Sequence, residues 1–185
     1  MKCGVCMANP PPYNKARSVF RYDEYSRDLI LSFKHADRTD LAPAFANWMA
    51  RIAPELMTEK TLLVPVPLHS HRLLKRRFNQ SAMLARSLGK KTGKPVCTDL
   101  LQRIKATPSQ GSKSFKGRYK NVEGAFRVDP RQAEAVRSKH ILLIDDVFTT
   151  GATVEACSRT LLKAGAERVD VLTLCRVVRP SNLNI

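Results

Sequence analysis

Apolar side chains recur along this chain with two different periods, and those periods predict its elements. Tyr25, Leu29 and Phe33 stand four residues apart, the spacing of one helix face. Leu41, Phe45, Trp48, Met49, Ile52 and Leu56 repeat at helical spacing over a longer span. One helix is therefore expected from Tyr25 and another from Leu41 to Leu56. Ser18–Tyr22 and Thr61–Val66 are short apolar runs expected to be strands, with Pro65 and Pro67 marking the end of the second. A helix is expected from Asn79 to Lys90 and a strand at Ala125–Val128. His140–Ile144 is a buried strand by its apolar run, followed by a polar turn and a helix from about Thr153 to Ala164. Gly165 suits that helix's C-terminal cap, and Val169–Val177 is a last strand. Strand, turn, helix and strand form a βαβ unit, so the expected fold class is α/β with a mainly parallel central sheet flanked by helices.

Two stretches break the pattern. Residues 1–17 contain Pro10, Pro11 and Pro12, which forbid a helix, and read as an irregular lead-in before a domain spanning 18–185. Residues 105–120 have neither period and are rich in Ser, Gly and Lys. A long loop of that kind in a compact domain is usually functional or disordered.

Composition narrows the class. At 185 residues one domain is the default, and 43% hydrophobic with 26% charged residues excludes wholesale disorder. No run approaches the ~18 apolar residues of a membrane span. The first residues, MKCGVCMANPPP, lack a signal peptide's apolar core. Five cysteines are too few and too odd in number for a disulfide framework. A soluble, cytoplasmic domain is the expectation. Its net charge of +16 is unevenly placed: residues 60–122 carry 15 basic side chains and one acid, Asp99. A field so concentrated attracts polyanions, whether nucleic acid, a polyphosphorylated small molecule or an acidic partner.

The chemistry is concentrated in Ile141–Thr153, ILLIDDVFTTGAT. Asp145 and Asp146 fall at the C-terminal end of the apolar strand, where open α/β sheets bind ligands. Thr149, Thr150, Gly151, Ala152 and Thr153 then run into a helix. Their backbone N–H groups, their hydroxyls and the positive end of the helix dipole make a cradle for one phosphate. The two carboxylates could grip the hydroxyls of a sugar or hold a metal ion. A triphosphatase would need a P-loop. The nearest stretch, Gly89 to Pro95, is one residue short between its glycines, lacks the Ser/Thr and follows a helix, so that alternative fails.

ILLIDDVFTTGAT resembles the phosphoribosyl-pyrophosphate (PRPP) motif of type I phosphoribosyltransferases. Pro65-Val-Pro-Leu68, Arg72, Arg76 and Phe78-Asn-Gln-Ser81 are similar to the corresponding segment of the ComF family of competence-related proteins. So are Thr107, Ser109, Gln110, Arg118, Asn121, Val122 and Gly124-Ala-Phe126, and the likeness spans about residues 18–178. The resemblance implies a type I phosphoribosyltransferase-like fold that binds PRPP, or a 5-phosphoribosyl nucleotide, with Mg²⁺. Asp145 and Asp146 would hold the ribose hydroxyls and Thr149–Thr153 the 5-phosphate. The turn Val66, Pro67, Leu68 and His69 would face the pyrophosphate, with Arg72, Arg76 or Arg77 neutralising it, although the family usually has glycine where this chain has Arg77. Lys113, Lys116 and Arg118 would belong to a lid, and residues 18–57 to the variable hood that selects the acceptor. It implies transfer of the phosphoribosyl group to a base or amine, or, alternatively, a non-catalytic role in DNA uptake with single-stranded DNA and a helicase as partners. The family also begins with a four-cysteine zinc module. Only Cys3 and Cys6 remain here, two of the four ligands a structural Zn²⁺ requires, so residues 1–17 read as a remnant of it.

Overall fold

The computed structural model describes residues 7–35, 38–68, 78–105, 119 and 122–178. In chain order these form β1 (Ala16–Arg21), α1 (Glu24–His35), α2 (Leu41–Ile52), β2 (Thr61–Pro65), α3 (Gln80–Thr92), β3 (Leu101–Arg103), β4 (Phe126–Val128), β5 (His140–Phe148), α4 (Ala152–Lys163) and β6 (Arg168–Arg176). The main sheet has the order β1-β6-β5-β2, parallel at every junction, and β3 and β4 pair antiparallel as a separate ribbon. The expected α/β class with a parallel sheet between helices is what forms.

Side-chain alternation on β5 explains the layers. Ile141 and Leu143 face one side and Leu142 and Ile144 the other, and all four are fully buried. Strands covered on both faces read as continuous apolar runs. Leu142 and Ile144 join Ile30, Phe33, Phe45, Met49, Leu84 and Leu88 from α1, α2 and α3. Ile141 and Leu143 join Val154, Cys157 and Leu161 of α4 and Leu101 and Phe126 of the ribbon. Phe33 and Phe45 meet edge to face at 5.1 Å, fixing α1 against α2.

Several boundaries differ from expectation. The helix expected from Leu41 to Leu56 ends at Ile52, and Ala53–Leu56 is a 3₁₀ turn, because Pro54 cannot donate to a continuing α-helix. Leu56 stays buried, so the apolar period outlasts the helix. β5 runs four residues past Ile144, because β6 continues alongside it and pairs Asp145 with Thr173, Val147 with Cys175 and Phe148 with Arg176. β1 begins at Ala16, two residues ahead of the expected boundary, and Asn14 and Lys15 already hydrogen-bond to the β6 backbone. Within residues 18–57, β1 pairs in the main sheet and α1 and α2 cover its face. Among the described residues no helix is long and apolar enough to cross a membrane.

Below the sheet's N-terminal end sits a buried polar network. Asp170 Oδ1 accepts from Asn14 Nδ2 at 3.0 Å and from the Lys15 N–H at 2.7 Å. Its Oδ2 lies 2.8 Å from His140 Nε2 and 3.2 Å from Arg168 Nε. Burial opposes ionisation of Asp170, but the His140, Asn14 and Lys15 hydrogen bonds and the Arg168 charge together outweigh it and hold the carboxyl below the usual carboxylate range.

Candidate functional site

The site lies at the opposite end of the sheet, where β5 delivers Asp145, Asp146 and Phe148 to the turn before α4. Asp145 and Asp146 sit in the second half of the strand instead of just beyond it, both half-buried. Asp145 Oδ1 accepts from the Ser81 hydroxyl at 2.9 Å and from the Asp146 N–H at 3.0 Å. Ser81 is placed by the start of α3, where Asn79 is the N-cap and its side-chain oxygen accepts from the Ser81 and Ala82 N–H groups. The Asn79 amide also donates to the Val66 carbonyl at 3.1 Å. Val66 in turn donates its N–H to the Ile144 carbonyl at 2.9 Å. The exit of β2, the cap of α3 and the acid pair thus form one hydrogen-bonded unit.

Gly151 turns the chain into α4 with φ +87°, a left-handed conformation that disfavours any side chain. A Cβ there would stand 3.1 Å from Phe148 Cζ and 3.3 Å from Glu155 Oε1. Gly151, the N-cap, makes no side-chain cap bond, and the Thr150 hydroxyl accepts from the Ala152 N–H at 3.4 Å. Thr149 is exposed, Thr150 and Thr153 are half-buried, and Ala152 is buried against the core. The turn rests on Phe148, whose ring meets the Tyr13 edge at 6.3 Å and the Arg176 guanidinium at 4.7 Å. Tyr119 closes the other side, its hydroxyl within reach of the Thr150 carbonyl at 3.2 Å and Glu155 Oε1 at 2.9 Å. Burial, then the adjacent Glu155 carboxylate, pushes the Tyr119 hydroxyl pKa up, so it is a proton donor at neutral pH.

Cys157 lies beneath this turn, fully buried, and burial followed by the Asp145 charge raises its thiol pKa well above the ordinary value. It is a core residue and no nucleophile, as is buried Cys175. Cys97 is half-buried and outside the regular elements, its N–H bonded to the Leu63 carbonyl. Among the described residues no group of three His, Cys, Asp or Glu side chains forms a metal cage.

The structure brings together Asp145, Asp146, Thr149–Thr153 and, across the Asn79 bridge, Val66. Pro67 is buried and Leu68 half-buried at the mouth of a cleft of about 720 Å³ that runs beside α3 and β3. Arg86 and Arg103 line that cleft, and Arg86 makes no hydrogen bond or ion pair among the described residues. A second groove, of about 620 Å³, opens between Tyr119, Phe126, Ala152 and Ala156. His69, Arg72, Arg76 and Arg77, the lid candidates Lys113, Lys116 and Arg118, and Cys3 and Cys6 lie outside the described residues. Sequence reasoning gave no role to Asn79 or Ser81, and expected Tyr119, with Phe78 and Phe115, to stack on nucleic-acid bases. The signal for Asn79 was present, a capping residue directly before a helical period, but its bond to Val66 spans two elements.

The phosphoribosyl transferase domain family matches residues 80–181. The DNA utilization protein YhgH of Salmonella typhimurium is 34% identical over 184 residues, 96% of this chain and 79% of that protein. Competence protein F of Haemophilus influenzae is 28% identical over 94% of this chain and 78% of its own length. The solved glutamine PRPP amidotransferase of B. subtilis shares the fold with a TM-score of 0.50, at 19% identity over 78% of this chain and 30% of that one. The chain belongs to the ComF family of competence-related proteins, built on a type I phosphoribosyltransferase domain.

Proposed function

We propose that this domain binds PRPP with Mg²⁺ and transfers its 5-phosphoribosyl group to a base or amine acceptor. The observation that carries this reading is the adjacency of the acid pair on β5 to the glycine-turned start of α4. Asp145 and Asp146 would accept hydrogen bonds from the ribose hydroxyls. The amides and hydroxyls of Thr149–Thr153 suit a terminal phosphate. The Val66–Leu68 turn, tied through Asn79 to the same unit, would face the leaving pyrophosphate, with His69, Arg72, Arg76 and Arg77 following it in the chain. The local donors are carboxylate and hydroxyl oxygens, which suit a hard cation such as Mg²⁺ held by one or two carboxylates plus substrate oxygens. When bound, that ion would neutralise charge on the departing pyrophosphate. Lys113, Lys116 and Arg118 would add cationic charge there.

Calorimetric titration with Mg²⁺–PRPP tests the site directly. Asp146→Asn is expected to weaken binding by about 10- to 100-fold, because a hydrogen bond to a charged group is worth about 1.5–3 kcal/mol. Equal affinity in both proteins would remove the acid pair from the site.

A second reading, an accessory role on single-stranded DNA during DNA uptake with a helicase partner, is favoured by the charge of residues 60–122 and by the names its relatives carry. The uncommitted Arg86 beside the cleft supports it. Binding of an oligothymidylate should then weaken steeply with salt, the slope of log K against log salt growing by about 0.7 per phosphate contact. A flat salt response, or no binding at low salt, would leave the small-molecule reading alone.

A further inference from the structure

We propose that Ser81 is a positioning residue for Asp145, and that Asn79 makes the ribose-facing and pyrophosphate-facing halves of the site a single rigid unit. The inference rests on the functional reading above and deepens it. Three facts carry it. The Ser81 hydroxyl donates to Asp145 Oδ1 across 64 residues of sequence, at 2.9 Å, from a side chain only 5% exposed. The same oxygen accepts the Asp146 N–H, so two donors from different elements fix one carboxylate oxygen and hence the plane of the group. Asn79 uses both ends of its amide, the oxygen on the Ser81 and Ala82 N–H groups and the nitrogen on the Val66 carbonyl.

The consequence is geometric. A carboxylate that must meet a vicinal diol binds best when its rotation is already stopped, because the ligand then loses no affinity to ordering it. Capping alone requires only the oxygen of residue 79, so an aspartate would serve α3 as well. The nitrogen serves a different end. It holds the turn leaving β2 at a fixed height relative to Ser81, and therefore relative to Asp145. A shift of the turn would be felt at the acid pair and the reverse.

Two substitutions in the full chain separate this from a packing role, each titrated by calorimetry with Mg²⁺–PRPP and with Mg²⁺–pyrophosphate, and melted. Ser81→Ala should weaken PRPP by about five- to tenfold and leave pyrophosphate within twofold, since only the ribose meets Asp145. Asn79→Ser keeps a neutral cap and loses the donor to Val66, so it should weaken both ligands with only a modest fall in melting temperature. PRPP affinity unchanged in Ser81→Ala, or the two ligands weakened equally by it, overturns the positioning role. Both affinities unchanged in Asn79→Ser overturns the coupling. A wild-type protein that binds neither ligand overturns the functional reading itself, and is told apart by that first titration.

Discussion

Asp170→Asn should lower the free energy of unfolding by about 3 kcal/mol, because removing one partner of a buried ion pair leaves the other groups uncompensated. Asp170 is fully buried and serves Asn14, Lys15, His140 and Arg168 at once. The amide puts an N–H₂ group where a lone pair accepted. The half-exposed Arg168 can turn to water, which keeps the loss at the lower end of the range for such pairs. The effect also has a pH signature. Asp170 is held below its ordinary pKa in the folded protein, so its stabilisation is present above the unfolded value of about 3.9 and is lost as pH falls through the folded one. Urea unfolding at pH 7 and in steps to pH 3 should show a steeper acid decline in the wild type than in Asp170→Asn. Equal stability at pH 7, or parallel declines, would contradict the network.

Gly151→Val should abolish measurable Mg²⁺–PRPP binding, a loss of at least about 100-fold, while the domain still folds. The left-handed conformation costs a side chain about 1–2 kcal/mol, and a branched one crowds Phe148 and Glu155 as well. The turn must then move, and with it the amides that face the phosphate. At about 2–4 °C per kcal/mol for a chain of this size, the melting temperature should fall by roughly 4–8 °C. Gly93→Ala is the control. Gly93 also has positive φ, +69°, but open space surrounds it at the end of α3. It should cost stability alone and leave binding intact. If Gly151→Val binds as the wild type does, the phosphate is held elsewhere.

What the sequence displayed and what it concealed follow from the range of the interactions. The β5–α4–β6 unit was legible because each signal is local: four apolar residues, two acids, and a Thr-Thr-Gly turn within thirteen positions. The extension of β5 to Phe148 was hidden, since only pairing with Thr173, Cys175 and Arg176 on β6 keeps two carboxylates and a valine extended. β3 escaped notice because three residues display no period, and its strand character comes from β4, some 25 positions further on. The early end of α2 was signalled by Pro54, but buried Leu56 carried the apolar rhythm past it. For the site, Asp145, Asp146 and Thr149–Thr153 announced themselves through chemistry at a strand end. Ser81 did not. A serine near a helix start is ordinary until folding brings a carboxylate to its hydroxyl.

The order β1-β6-β5-β2 has a bearing on how the chain is made. Among the described residues β6 is the latest strand to leave the ribosome, yet it occupies an interior place, between β1 and the strand with the acid pair. Until residues 168–176 emerge, β1 has nothing to pair with, and β5 has only one of its neighbours. At synthesis rates of about 5–20 residues per second, the apolar faces of α1 and α2 therefore stay without their sheet for several seconds. A sheet that pairs β1 with a strand about 150 residues later has a high contact order and forms late and slowly. A ribosome stalled before residue 168 would thus present an unclosed sheet edge and an uncovered apolar surface.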